Sequence, residues 1–185
     1  MGTRNHPIQI NQPYFVTTIT RKRQPIFRDH HAARLFLAEL GRLRSDLGFA
    51  LLGYAVMPDH GHLVVVPADS ANLREIMRLV KGSFARLWNQ RCGQSGSLWQ
   101  PRYYESAVRT EQQLVQWLKY IDDNPVRAGL ASSPQQYPYG SPGGRLMTDL
   151  TAYLDGSWIG QAEARPSGER VPLDGPGGRR AVGSP

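Results

Sequence analysis

With only one cysteine, Cys92, the 185-residue chain can form no internal disulfide. It has no apolar run approaching the roughly 20 residues that cross a bilayer, which excludes a membrane-spanning helix and predicts no membrane partner. The opening MGTRNHPIQINQP lacks the hydrophobic segment of a secretory signal, so a cytoplasmic protein is expected. Acidic residues are the minority: 22 Lys and Arg stand against 15 Asp and Glu, a net charge of +7. Residues 1–132 hold 17 basic and 10 acidic side chains, whereas 133–185 hold 5 of each. The excess in the first part should attract polyanions, although charge alone fits a merely basic soluble protein equally well.

What the first part lacks in glycine and proline, the end has in excess: 17 of the last 53 residues are one or the other. Such a segment buries too little apolar surface to offset the entropy of ordering it. The expected organisation is an N-terminal arm (1–13), one domain (14–140) and a largely disordered tail (141–185). Within the tail a short helix is possible at 146–154, and 160–185 is expected to be disordered throughout.

Between arm and tail the hydrophobic period alternates. YFVTTIT (14–20) is β-branched and aromatic, as a strand requires. HHAARLFLAELGRLRSDLG (30–48) sets Phe36, Leu40, Leu43 and Leu47 at helical spacing, with Asp29 as cap and Gly48 as stop. FALLGYAVM (49–57) and HLVVV (62–66) read as a hairpin turned at Pro58-Asp59, and 71–90 reads as a second amphipathic helix. RYYESAVR (102–109) is a fourth strand. A third helix (110–124) opens with Thr110 and Gln113 at capping-box spacing. The order predicts an α+β, ferredoxin-like βαββαβ fold: an antiparallel four-stranded sheet with two helices on one face and an extra C-terminal helix free to cross the other.

Side chains alternate along a strand, so His60, His62, Val64 and Val66 share one side and Gly61, Leu63 and Val65 the other. The two imidazoles then face away from the helix-covered core, where they could bind one metal ion or simply be hydrogen-bonded surface groups beside a turn. On the third helix Tyr120 and Asn124 are four residues apart, next to the apolar stripe Leu114, Trp117, Leu118 and Ile121. Pro125 should end that helix near Asn124, which could alternatively cap a new turn.

Four segments, YFVTTITRKRQPIF (14–27), MPDHGHLVVV (57–66), SLWQPRYYESAVR (97–109) and YIDDNPVRAGL (120–130), together resemble the REP-associated tyrosine transposases. These are relatives of the single-tyrosine HUH transposases of small bacterial insertion sequences. The resemblance extends from about Tyr14 to Tyr139 and departs at Gly61, where the family pattern has an apolar residue between the histidines. Gly61 is expected to weaken strand packing without removing the site.

The resemblance implies that Tyr120 is the nucleophile, that His60 and His62 bind the catalytic metal, and that Asn124, or its neighbour Asp123, completes the metal site. The implied cofactor is Mg2+ or Mn2+; two imidazoles are unusual for magnesium and favour manganese. Further implications are metal-dependent cleavage and strand transfer of single-stranded DNA at hairpin-forming palindromic repeats, through a 5′-phosphotyrosine. The protein would act on the nucleoid as a monomer or homodimer. Because neutral histidines are required, activity is expected to fall as pH drops through about 6.5.

For DNA contacts, Arg74, Arg78 and Lys81 make a basic stripe on the second helix, joined by Arg21, Arg23, Arg102 and Arg109. Trp99, Tyr103 and Tyr104 beside Arg102 suit stacking on unpaired bases, although alternation turns Tyr103 and Tyr104 to opposite faces. Two rivals remain at this stage: a non-catalytic nucleic-acid-binding relative, and a zinc hydrolase that would need a third ligand from His6, His30 or His31.

Overall fold

The computed structural model describes residues 11–144 and 146–158. The expectations for most of the N-terminal arm and for 160–185 lie outside them. Strands β1 (Tyr14–Ile19), β2 (Ala50–Met57), β3 (His60–Val66) and β4 (Tyr104–Ala107) form one antiparallel sheet in the order β2-β3-β1-β4. Helices α1 (His30–Leu47) and α2 (Leu73–Cys92) cover one face, and α3 (Glu111–Arg127) crosses the other. This is the expected ferredoxin-like arrangement with an added helix.

Local chemistry sets the helix ends. The Asp29 carboxylate accepts a hydrogen bond from the His31 amide at the start of α1, and Asn72 does the same for Glu75 at the start of α2. Gly48 and Gly93, both at positive φ, terminate these helices. The Thr110 hydroxyl accepts from Gln113 N, and the Gln113 side chain accepts from Arg109 N, so the first turn of α3 is tied from both sides.

Period-two alternation divides the sheet into two apolar layers. Val16, Leu63 and Val65 pack under α1 and α2 with Phe36, Leu40, Ile76 and Phe84. Phe15, Val64 and Val66 face α3 and bury Leu114 and Ile121. Trp117 lies flat on Phe15, with ring centroids 3.8 Å apart and planes 9° apart, which fixes the rotation of α3 about its axis. Gly53, beside a register shift in β2, lets α3 approach: a Cβ there would stand 2.5 Å from Leu118 Cδ2.

One expectation is corrected and one is narrowed. First, α3 does not end at Asn124 but continues through Pro125 to Arg127. Proline removes the amide that would bond the Ile121 carbonyl, yet Pro125 is buried, and the Asn124 and Pro125 carbonyls accept from Ala128 N and Leu130 N. Tertiary packing outweighs the missing bond. Second, the described part of the tail, 141–144 and 146–158, lies against the domain and includes a short helix inside the 146–154 span where one was expected to be possible. Val56 N donates to Tyr139 O, Ser141 N to Tyr54 O, and Leu51 N to an Asp149 carboxylate oxygen, so this segment runs along the outer edge of β2. Its glycines permit that contact: a Cβ at Gly144 would overlap the Tyr54 hydroxyl. The segment shields an edge strand that would otherwise offer unpaired backbone groups. A short α4 (Leu150–Leu154) follows, and Tyr153 and Trp158 pack on the second apolar layer.

Gly61 faces the α1 side, where a Cβ would meet Thr18, Ala55 and Phe36 at 3.8–3.9 Å, ordinary contact distances. Gly61→Ala is therefore expected to raise stability by about 0.5–1 kcal/mol through the reduced entropy of the unfolded chain. A thermal melt checks this; a lowered midpoint would show that the site cannot accept even a methyl group.

Candidate active site

The turn between β2 and β3 delivers both histidines to the face crossed by α3. His60 and His62 are two apart on β3, and their ring centroids lie 4.8 Å apart. The Asp59 carboxylate accepts from His60 Nδ1 at 2.5 Å, and Arg23 donates to the same carboxylate at 3.0 Å. Burial would raise the Asp59 pKa, but the hydrogen bonds from His60 and Arg23 prevail and hold it below the ordinary carboxylate value. His62 is 4% exposed, with Nδ1 2.8 Å from the Thr17 hydroxyl. Its Nε2 is buried with no hydrogen-bond partner among the described residues.

Burial, helped by the positive charge His60 can carry, pushes the His62 pKa down to about 3. His62 thus stays neutral well below pH 6.5, and the expected loss of activity through that pH cannot arise from this residue.

Tyr120 projects from α3 over the same face. Its ring is 5.3 Å from that of His62, 5.9 Å from Phe15 and 5.8 Å from Trp117, all edge to face, while 36% of the residue remains exposed. Asn124 lies one turn further along and its Nδ2 donates to the Tyr120 carbonyl at 3.3 Å. Asp123 is 3.7 Å from Arg127 in an ion pair.

The donor set suits a divalent ion. Hydrogen bonding at Nδ1 of each ring leaves each Nε2 free to meet a metal ion, and the buried His62 Nε2 has no other partner among the described residues. Among the described residues no group of three His, Cys, Asp or Glu side chains is assembled. The remaining ligands would come from an amide such as Asn124, from water or from phosphate oxygens. The zinc-hydrolase alternative loses support here, since His30 is engaged with the Tyr139 hydroxyl at 2.7 Å and His31 is exposed on the helix-covered side. His6 lies outside the described residues.

The residues expected to touch nucleic acid divide into two groups. Arg21 and Arg23 are exposed in a 3-10 turn after β1, Arg109 is exposed at the start of α3, and Arg74, Arg78 and Arg102 are exposed around a groove of about 670 Å³ between α2 and the 97–103 loop. Trp99 and Lys81 require correction. Trp99 is 5% exposed, packed among Phe27, Phe36 and Phe84, so its ring is core and not a base platform. Lys81 donates to the Gln100 and Arg102 carbonyls at 3.2 and 2.7 Å and lies 5.8 Å from the Trp99 ring centroid. Its ammonium, with a pKa lowered by burial, staples the loop before it can serve a phosphate.

Thr17 and Asp59, which orient the two imidazoles, were not among the candidates. Asp59 adjoins His60 in sequence, a detectable signal. Thr17 reaches His62 only through the β1–β3 register.

An Escherichia coli REP-associated tyrosine transposase is 24% identical over 131 residues, covering 70% of this chain and 74% of the relative. A Haemophilus influenzae protein provisionally named for the same group is 28% identical over 103 residues, and the match spans 50% of this chain but only 58% of that protein. The solved structure of a REP-associated tyrosine transposase bound to a REP hairpin shares the fold, with a TM-score of 0.63 at 22% identity, covering 92% of this chain and 99% of its own. Residues 9–124, well over half of the chain, match the family described as Transposase IS200 like, and the chain belongs to that family.

Proposed function

We propose that the protein cleaves and rejoins single-stranded DNA next to a hairpin, using Tyr120 as the nucleophile. The observation that carries this is the buried, unpartnered His62 Nε2 in a face shared with His60 and the exposed Tyr120 ring. A relative of the same fold is bound to a REP hairpin, which supports hairpin DNA as the substrate class.

A phenol with a pKa of about 10 is a weak nucleophile at neutral pH, and the phosphodiester it attacks is anionic. A bound Mn2+ or Mg2+, held by His60, His62 and Asn124, would supply Lewis-acid polarisation of the scissile phosphate. The protein's own residues do the rest. The Asp59–His60 and Thr17–His62 hydrogen bonds fix the rings with Nε2 toward the site, and the Phe15–Trp117 stack sets Tyr120 over them. Tyr120 Oη forms a bond to phosphorus as the bond to the 3′-oxygen breaks, and the phenolic proton is balanced by protonation of the leaving 3′-oxygen. A 5′-phosphotyrosine and a free 3′-hydroxyl result. One phosphodiester replaces another, so a second 3′-hydroxyl can reverse the step without an external energy source. Arg74, Arg78 and Arg102 would hold backbone phosphates outside the cut.

The test is a denaturing gel of protein mixed with labelled hairpin DNA bearing a single-stranded extension. A metal-dependent covalent band, abolished by EDTA, is expected. Binding without any band would support a non-catalytic DNA-binding relative and reject the cleavage assignment.

A further inference from the structure

We propose that Tyr104 is a stacking platform for an unpaired base adjoining the scissile phosphate; this rests on the cleavage function above. In the sheet register Thr17 of β1 lies opposite His62 on one side and Tyr104 on the other. Directly opposed residues share a face, so Tyr104 stands in the same cross-sheet row as His62, two strand spacings or about 10 Å away. The hydrogen bond between the Thr17 hydroxyl and His62 Nδ1 links two members of that row.

Tyr104 differs from the other aromatics of this face. Phe15 is buried and Trp117 is stacked on it, whereas Tyr104 is 56% exposed. Among the described residues its one contact with another aromatic ring is with Phe15, edge-on at 6.2 Å and 67°, and its hydroxyl makes no hydrogen bond. It also sits on β4, which among the described residues is an edge strand of the sheet. A large aromatic ring left uncovered beside a phosphate-cleaving face is suited to a base, because every base offers a π-face.

Its position in the chain supplies the second line of argument. Tyr103 turns to the opposite side, where Lys81 lies 6.0 Å from its ring centroid beside the Arg74 and Arg102 groove. Residues 102–104 therefore step from the basic groove over the β4 edge to the histidine face. DNA with its backbone on Arg102 would cross that edge at Tyr104 before reaching His62. Buried Trp99 cannot perform this task, so the base-stacking role expected of the 97–109 segment falls to Tyr104.

The experiment uses the full chain and a DNA hairpin with a single-stranded extension at either end, in which 2-aminopurine replaces one extension base at a time. With EDTA present to prevent cleavage, quenching is expected at one position near the hairpin. Tyr104→Leu should remove the quenching and weaken binding about tenfold or more, while Tyr104→Trp retains both. Thermal melts check that each variant is folded; the exposure of Tyr104 makes that the expected result. Equal quenching and affinity in folded Tyr104→Leu, or no quenched position in the unsubstituted protein, overturns the proposal. Cleavage is scored separately with Mn2+. A Tyr104-dependent quench without any covalent band would retain the platform and reject the cleavage function, and a band without the quench would do the reverse.

Discussion

Tyr120→Phe is expected to form no covalent adduct with DNA, with the cleavage rate falling by ~10⁴-fold or more, while affinity for the same DNA is unchanged. The substitution removes one oxygen atom and little else. The phenylalanine ring keeps the edge contacts that Tyr120 makes with His62, Phe15 and Trp117, and the lost hydroxyl has no hydrogen-bond partner among the described residues. The residue is 36% exposed, so the cost in stability should lie within about 0.5 kcal/mol. What disappears is the atom that bonds to phosphorus. Gel-shift affinity, a denaturing gel and a thermal melt on one preparation separate these effects. A surviving adduct would mean another nucleophile, and mass spectrometry of the DNA-linked peptide would identify it; Tyr104, on the same face, would be the first residue to inspect.

The legible parts of this protein were those governed by short-range periodicity. Alternation along β3 places both imidazoles opposite Leu63 and Val65, and the stripe Leu114, Trp117, Leu118 and Ile121 seats α3 on their face, because both patterns depend only on residues a few positions apart. Long-range pairing was hidden. The Thr17–His62 hydrogen bond joins residues 45 positions apart and depends on a register that neither strand specifies alone. Burial of individual aromatics was hidden for the same reason. Trp99 and Tyr104 look alike in a basic, aromatic segment, but the bridge between Thr20 and Trp99 carries the tryptophan into the α1–α2 core and leaves the tyrosine outside. Composition was coarse at the tail: Pro142 and Gly144 belong to its Gly/Pro-rich stretch, yet this first part forms a strap against β2. At Pro125, burial overrode a local rule about helix ends.

His62→Ala is expected to reduce the adduct to background at any manganese concentration and to weaken Mn2+ binding, which calorimetry reads without DNA. The side chain carries structural weight too. It stacks with Phe15 at 5.5 Å and bonds the Thr17 hydroxyl, so truncation should cost about 1–3 kcal/mol through the void and the unpaired hydroxyl. His62→Gln, which fills more of that space, is the better separation of ligation from folding, and it should lack activity with a smaller loss of stability. The two variants also expose a pH effect with a definite sign. The pKa of His62 is about 3 in the folded protein, against about 6.5 when unfolded, so between these values the unfolded chain binds the extra proton. Stability contributed by neutral His62 is complete above pH 6.5 and declines as pH falls, by at most about 1.4 kcal/mol per pH unit. Unfolding free energies of metal-free protein from urea titrations at pH 7 and pH 5 should therefore differ by about 2 kcal/mol more for the unsubstituted chain than for His62→Gln. An equal pH dependence in the two proteins would place His62 in water, not under Tyr120, and would remove the orphaned nitrogen on which the proposed metal binding rests.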